Sequence, residues 1–107
     1  MPNIMKVIKQ VNKMKADLAE AQTELSNRVL EYSAGGGAIK IGITGTGQVQ
    51  SVKLDPSVVD PSDVSGLEDL LLSAIRGAQA LAQETSQAEM AKITGGINLP
   101  PGLDLGL

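Results

Sequence analysis

The chain has 107 residues, a formal net charge of −3 and neither cysteine nor histidine. Disulfides, thiolate or imidazole metal sites and the commonest general base are therefore excluded. The length suits one small domain, but Tyr32 is its only aromatic residue; a core without side chains that each bury about 150–250 Å² favours oligomerisation as a source of stability.

The opening Pro2-Asn3-Ile4-Met5-Lys6 runs into alternating Lys and apolar residues rather than a secretory h-region. No segment approaches the roughly 18 continuous apolar residues of a membrane span. The expected location is the cytoplasm, with no membrane contact. From about residue 3 to 28 the spacing predicts one long helix. Ile4, Ile8, Val11, Leu18, Leu25 and Val29 recur at three- and four-residue steps, with Met14 and Ala21 beside the gaps. Lys15 and Gln22 fall in this stripe, which argues for a partner helix or sheet rather than an isolated coiled coil. Helix ion pairs are expected for Asp17 with Lys13, Glu20 with Lys13 or Lys15, and Glu24 with Arg28.

The middle of the chain reads as β. Val29 to Ala34 forms a first strand, Gly35-Gly36-Gly37 a turn, and Ile39 to Thr44 a second strand with its isoleucines on one face. Gly45-Thr46-Gly47 is a second turn before Val49 to Leu54, where Val52 and Leu54 share a face and Lys53 takes the other. Val49 breaks that period, so a bulge is expected near Gln50-Ser51. Short connections make an antiparallel meander the simplest topology, closed by Asp55-Pro56-Ser57.

Asp60-Pro61-Ser62-Asp63 starts a second helix, with Ser65 and Glu68 placed for a capping box. Leu67, Leu70, Leu71, Ala74, Ile75, Ala78, Leu81 and Ala82 give it a broad apolar face, which Ala88 and Ile93 continue more thinly. Gly95-Gly96 ends the helix, and Pro100-Pro101 forbids its resumption in a tail that stays apolar at Ile97, Leu99, Leu103, Leu105 and Leu107. Such a tail wants a surface to lie on. The expected architecture is α+β: long helix, three-stranded antiparallel meander and long helix in a single domain over residues 1–94, then an extended Pro-rich tail over 95–107. An open three-stranded sheet has two bare edges, a second pointer to a homodimer.

Few residues suggest chemistry. The glycine turns match no phosphate-loop spacing and lie between strands. Glu68 and Asp69 are adjacent on a helix, about 100° apart, and do not converge; in the first turns they suit the helix dipole. The remaining feature is basic. Residues 1–16 hold Lys6, Lys9, Lys13 and Lys15 and no acid. Lys6, Lys9 and Lys13 share a helical face, with Lys15 to the side. Such a row is either a solvated face or a phosphate-contacting surface, and no Arg or aromatic residue joins it.

The order of elements, with particular stretches in it, resembles the YbaB/EbfC family of bacterial nucleoid-associated proteins. The stretches are Met5-Lys6, Lys9-Gln10-Val11-Asn12-Lys13-Met14, Gly37-Ala38-Ile39-Lys40-Ile41-Gly42-Ile43-Thr44-Gly45, Val52-Lys53-Leu54-Asp55-Pro56-Ser57, Leu67-Glu68-Asp69-Leu70-Leu71, Glu89-Met90-Ala91-Lys92-Ile93-Thr94-Gly95-Gly96 and Leu99-Pro100-Pro101-Gly102. The resemblance implies a nucleoid protein that binds double-stranded DNA as an intertwined homodimer with joined sheets and tweezer-like helices. It implies effects on chromosome organisation and transcription, links to recombination and repair proteins, no cofactor and no enzymatic activity. Lys6, Lys9, Lys13 and Lys15 are then the expected phosphate contacts, with Arg28 secondary. The second helix is poor in basic residues, offering only Arg76 and Lys92. The acidic balance and the apolar tail also suit an alternative, a DNA-independent dimeric adaptor for a recombination or repair partner.

Overall fold

The computed structural model describes residues 4–94. The expected Gly95-Gly96 cap, the apolar tail and the 94/95 domain boundary fall at or outside that range. Helix α1 (Ile4–Asn27) leads into strands β1 (Val29–Ala34), β2 (Ile39–Thr44) and β3 (Val49–Leu54), and helix α2 (Val64–Thr94) follows. The sheet is an antiparallel meander in the order β1-β2-β3.

Local chemistry accounts for the connections. Gly35, Gly36 and Gly37 all take positive φ, of 61°, 69° and 94°, in the tight turn between β1 and β2, a region that side chains disfavour. At the β2–β3 turn, the Thr44 hydroxyl accepts the Gln48 amide at 3.0 Å and meets the Thr46 hydroxyl at 2.9 Å, so this buried polar side chain is satisfied. The expected bulge is present: Gly42 pairs with Ser51 and Ile43 with Val49, leaving Gln50 as the extra residue. Asp55 and Asp60 each accept a backbone amide two residues on, at 2.9 Å from Ser57 and from Ser62. The start of α2 departs from the expected Ser65–Glu68 box. Asp63 instead precedes the first helical residue and accepts the Gly66 amide at 3.2 Å, satisfying one of the donors a helix start leaves open.

The core is a row of isoleucines under a row of alanines. Ile39, Ile41 and Ile43 of β2 and Ala74, Ala78 and Ala82 of α2 are buried, with Leu30, Tyr32, Ala34, Leu70, Leu71 and Ile75 packed against them. Alanines at four-residue steps let the helix axis approach the sheet. Gly77 extends this close approach, because a Cβ there would overlap the ring of Tyr32 on β1. Gly45 plays the same part at the foot of α1, where a Cβ would lie 2.9 Å from the Leu25 carbonyl oxygen.

Coverage of the sheet is uneven. Val49, Val52 and Leu54 of β3 pair directly with Ile43, Ile41 and Ile39 and so share their face. Their partners are buried, yet these three are 37–44 % exposed. Helix α2 therefore lies over β1 and β2 and leaves the same face of β3 open. Helix α1 is half covered as well. Met14 and Leu25 are buried and Val11, Leu18 and Ala21 half-buried, whereas Ile4 and Ile8, expected in the stripe, are 72 % and 47 % exposed.

Candidate nucleic-acid interface

Helix geometry separates the four α1 lysines. At about 100° per residue, Lys6, Lys9 and Lys13 fall within about 60° of one another, over a rise of about 10 Å. All three are exposed. Lys15 is exposed too but lies about 120–180° round the helix from the other three. It is on the opposite flank of the Met14–Leu25 stripe rather than beside the row. The expected ion pairs of Lys13 or Lys15 with Asp17 or Glu20 do not form: among the described residues, the pairs are Arg28–Glu24, Arg28–Glu89 and Lys92–Glu89. The three-lysine row thus presents ammonium groups without carboxylate partners.

Arg28 has a different setting. Its Nη2 donates to Glu24 Oε1 at 2.8 Å, and its Nη1 lies 3.6 Å from Glu89 Oε1 on α2. The Glu24 hydrogen bond, with Glu89 adding charge attraction, raises the guanidinium above its ordinary pKa. Glu89 is lowered, chiefly by its hydrogen bond to Lys92 and then by Arg28. Arg28 ties the end of α1 to α2. Its side chain remains 36 % exposed.

A second basic element lies on the sheet. The register sets Lys40 of β2 directly across from Lys53 of β3, on the face away from α2. Their place in the alternating pattern is visible in the sequence, but their pairing depends on a register that the bulge helps to set. Between α1, α2 and the β2–β3 turn runs a polar groove of about 240 Å³ that includes Gln22, Gln79, Gln83 and Gln87. Its second-helix wall is uncharged, in keeping with a helix that offers only Arg76 and Lys92 as basic residues. Among the described residues no three His, Cys, Asp or Glu side chains gather to hold a metal ion, and no helix is long and apolar enough to cross a membrane.

A two-helix, three-strand α+β domain with an exposed basic helix face, unpaired among the described residues, has the form of a small binding protein. A model of the YbaB/EbfC DNA-binding family matches residues 1–97. The chain is 46 % identical over 101 residues to a nucleoid-associated protein of Akkermansia muciniphila, spanning 94 % of this chain and 97 % of the relative. It is 47 % identical over 100 residues to one from Moorella thermoacetica, with 94 % and 96 % covered. The crystal structure of the uncharacterized protein HP0035 from Helicobacter pylori superposes with a TM-score of 0.69 at 16 % identity, covering 82 % of this chain and 92 % of that one; it is similar in fold. The chain belongs to the YbaB/EbfC DNA-binding family. That family is a DNA-binding one, and the Akkermansia and Moorella relatives are nucleoid-associated proteins, not enzymes.

Proposed function

We propose that this protein binds double-stranded DNA as a homodimer, mainly through backbone phosphates, and acts in the nucleoid on chromosome organisation and gene expression. The observation that carries the reading is the row Lys6, Lys9 and Lys13, exposed and free of ion pairs on α1 of a DNA-binding family member. Contacts of this kind position a protein on the duplex without reading sequence. Lys15, on the other flank, would reach phosphates only where the duplex wraps the helix or a second copy turns that flank inward. Arg28 would act chiefly by fixing α1 against α2.

Dimerisation is supported by the exposed Val49, Val52 and Leu54 on an edge strand and by a core with one aromatic residue. An unpaired edge is a template for a strand of another chain. Joining two sheets there would pair the free edge, and a partner helix packed over the junction would cover the open part of the inner face and bring two lysine rows into one particle. Sedimentation at micromolar concentration is expected to give a dimer, and a stable monomer would refute that part.

The DNA part is tested by mobility-shift titration of duplex DNA at several salt concentrations. Replacing Lys6, Lys9 and Lys13 with Gln is expected to weaken binding and flatten the log–log salt dependence by about 0.9 for each phosphate no longer neutralised, or about 2.7 per protomer. An unchanged affinity would refute the assignment. Absence of duplex binding in the wild type even at about 50 mM salt, where electrostatics are strong, would favour the DNA-independent adaptor.

A further inference from the structure

We propose that the open face of the sheet, centred on Lys40 and Lys53, is a second contact surface for the phosphodiester backbone of duplex DNA. This rests on the reading of the protein as a DNA binder and adds a site to it.

One cross-strand pair in the sheet is unfavourable. Lys40 and Lys53 sit directly opposite each other in the β2–β3 ladder, and like charges so placed destabilise an antiparallel pair. Neither side chain has an ion-pair partner among the described residues. The fold thus sets two lysines directly across from each other without a neutralising carboxylate, at a position where a neutral strand former such as Thr or Val would avoid the repulsion. A bound polyanion removes that repulsion.

The surroundings suit a phosphate backbone better than a protein core. The register puts Ser33, Gly42 and Ser51 on this face. A groove of about 280 Å³ runs across it, with Glu31, Lys40, Gly42, Ser51 and Lys53 in its walls. Gly42 forms the floor; a Cβ there would overlap the Ser51 hydroxyl. Val29 is the exposed apolar residue at the groove's edge, 58 % exposed. One acid opposes the assignment. Glu31 lies across from Gly42 and diagonal to Lys40, within about 7–8 Å, and it moderates the attraction. Asp55, two residues beyond Lys53, turns its carboxylate to the Ser57 amide at 2.9 Å.

Placement makes this surface distinct from the α1 row. Lys40 is at the start of β2, beside the glycine turn, whereas α1 joins the other end, where the Gly45 amide donates to the Leu25 carbonyl at 2.9 Å. The α1 lysines lie further off along the helix, Lys13 about 18 Å of rise from Leu25 and Lys6 about 28 Å. The two patches would meet different phosphates, so their contributions add.

The test compares the full chain with Lys40→Gln/Lys53→Gln, with Lys53→Gln alone and with Lys6→Gln/Lys9→Gln/Lys13→Gln. Duplex binding is measured by mobility shift across salt, with sedimentation and thermal unfolding on each protein. The double sheet variant is expected to bind more weakly, with a salt slope shallower by about 2 per protomer, and Lys53→Gln alone by about 1. Its melting temperature is expected to equal or exceed that of the wild type, since the repulsion is gone. Glu31→Gln is expected to tighten binding. A sheet variant with wild-type affinity and slope, beside an α1 variant that loses both, would overturn the proposal and leave the DNA-binding reading standing. Loss of inorganic tripolyphosphate binding with duplex binding intact would assign the face to a small polyanion instead, and a changed oligomeric state would make it a protein interface. Absence of duplex binding in the wild type would overturn both readings together.

Discussion

Gly77 sits inside the second helix, where an alanine is ordinarily preferred by about 1 kcal/mol. On propensity alone, Gly77→Ala should stabilise the protein. The structure reverses the sign. An alanine Cβ would overlap Cζ, Oη and Cε1 of Tyr32, so the ring must move or the helix must lift from the sheet. Lifting the helix opens the contact between Ala74, Ala78 and Ala82 and the isoleucines of β2, all of them buried. Moving the ring costs less, because its hydroxyl end is the nearer part, but it disturbs packing beside Ile41. Overpacking of this kind costs about 1–3 kcal/mol. Set against the gain in propensity, the expected net destabilisation is about 1 kcal/mol, or roughly 4–8 °C in melting temperature for a domain near this size.

Thermal unfolding followed by helix circular dichroism, at fixed protein concentration because a dimer's midpoint depends on it, measures the effect. Tyr32 is the only aromatic residue, so its fluorescence reports the same contact without background. The decisive comparison is a double-mutant cycle. With Tyr32→Ala the space above Gly77 is empty, and there Gly77→Ala should raise stability by up to about 1 kcal/mol. If Gly77→Ala stabilises both backgrounds equally, the ring does not fill that space and the steric explanation fails.

Further expectations rest on other contacts. Val52→Asp puts a charge on the open inner face of β3, where Val52 is 44 % exposed; the protomer should stay folded by circular dichroism while sedimentation shifts towards monomer. Asp63→Ala removes the cap on the Gly66 amide and should lower the denaturant midpoint by the equivalent of about 1 kcal/mol, whereas Ser65→Ala should leave it nearly unchanged. Acidification should destabilise the fold through Glu89, Asp55 and Asp60, whose pKa values are all lowered. A lowered folded pKa stabilises above the ordinary value, about 4.5 for Glu89, and that stabilisation drains as pH falls through the lower folded value. In Glu89→Gln the unfolding midpoint should depend less steeply on pH below about 4.5.

Much of the fold was legible because its signals are local. The alternation of Ile39, Ile41 and Ile43 with Lys40 and Gly42 defines β2 and its buried face. The broken period at Val49 announces the bulge at Gln50, and the glycine-rich stretches mark both turns. The α1 lysines could be placed on a helix, and the same geometry separates Lys15 from the other three.

What the sequence by itself determined was the order of elements, the sheet's inward face, the helices' apolar stripes and a family resemblance that the comparisons bear out. These follow from periods of two and 3.6, which a single strand or helix carries within itself. Tertiary structure alone decided where the stripes find cover: α2 over β1 and β2 but not β3, and α1 packed at Met14 and Leu25 but bare at Ile4 and Ile8. It also decided that Gly77 makes room for Tyr32, that Arg28 pairs with Glu89 across the two helices, and that Lys40 faces Lys53. Each of these joins residues distant in the chain or depends on a strand register. Local periodicity fixes which way a side chain points, and packing between elements fixes what it meets there.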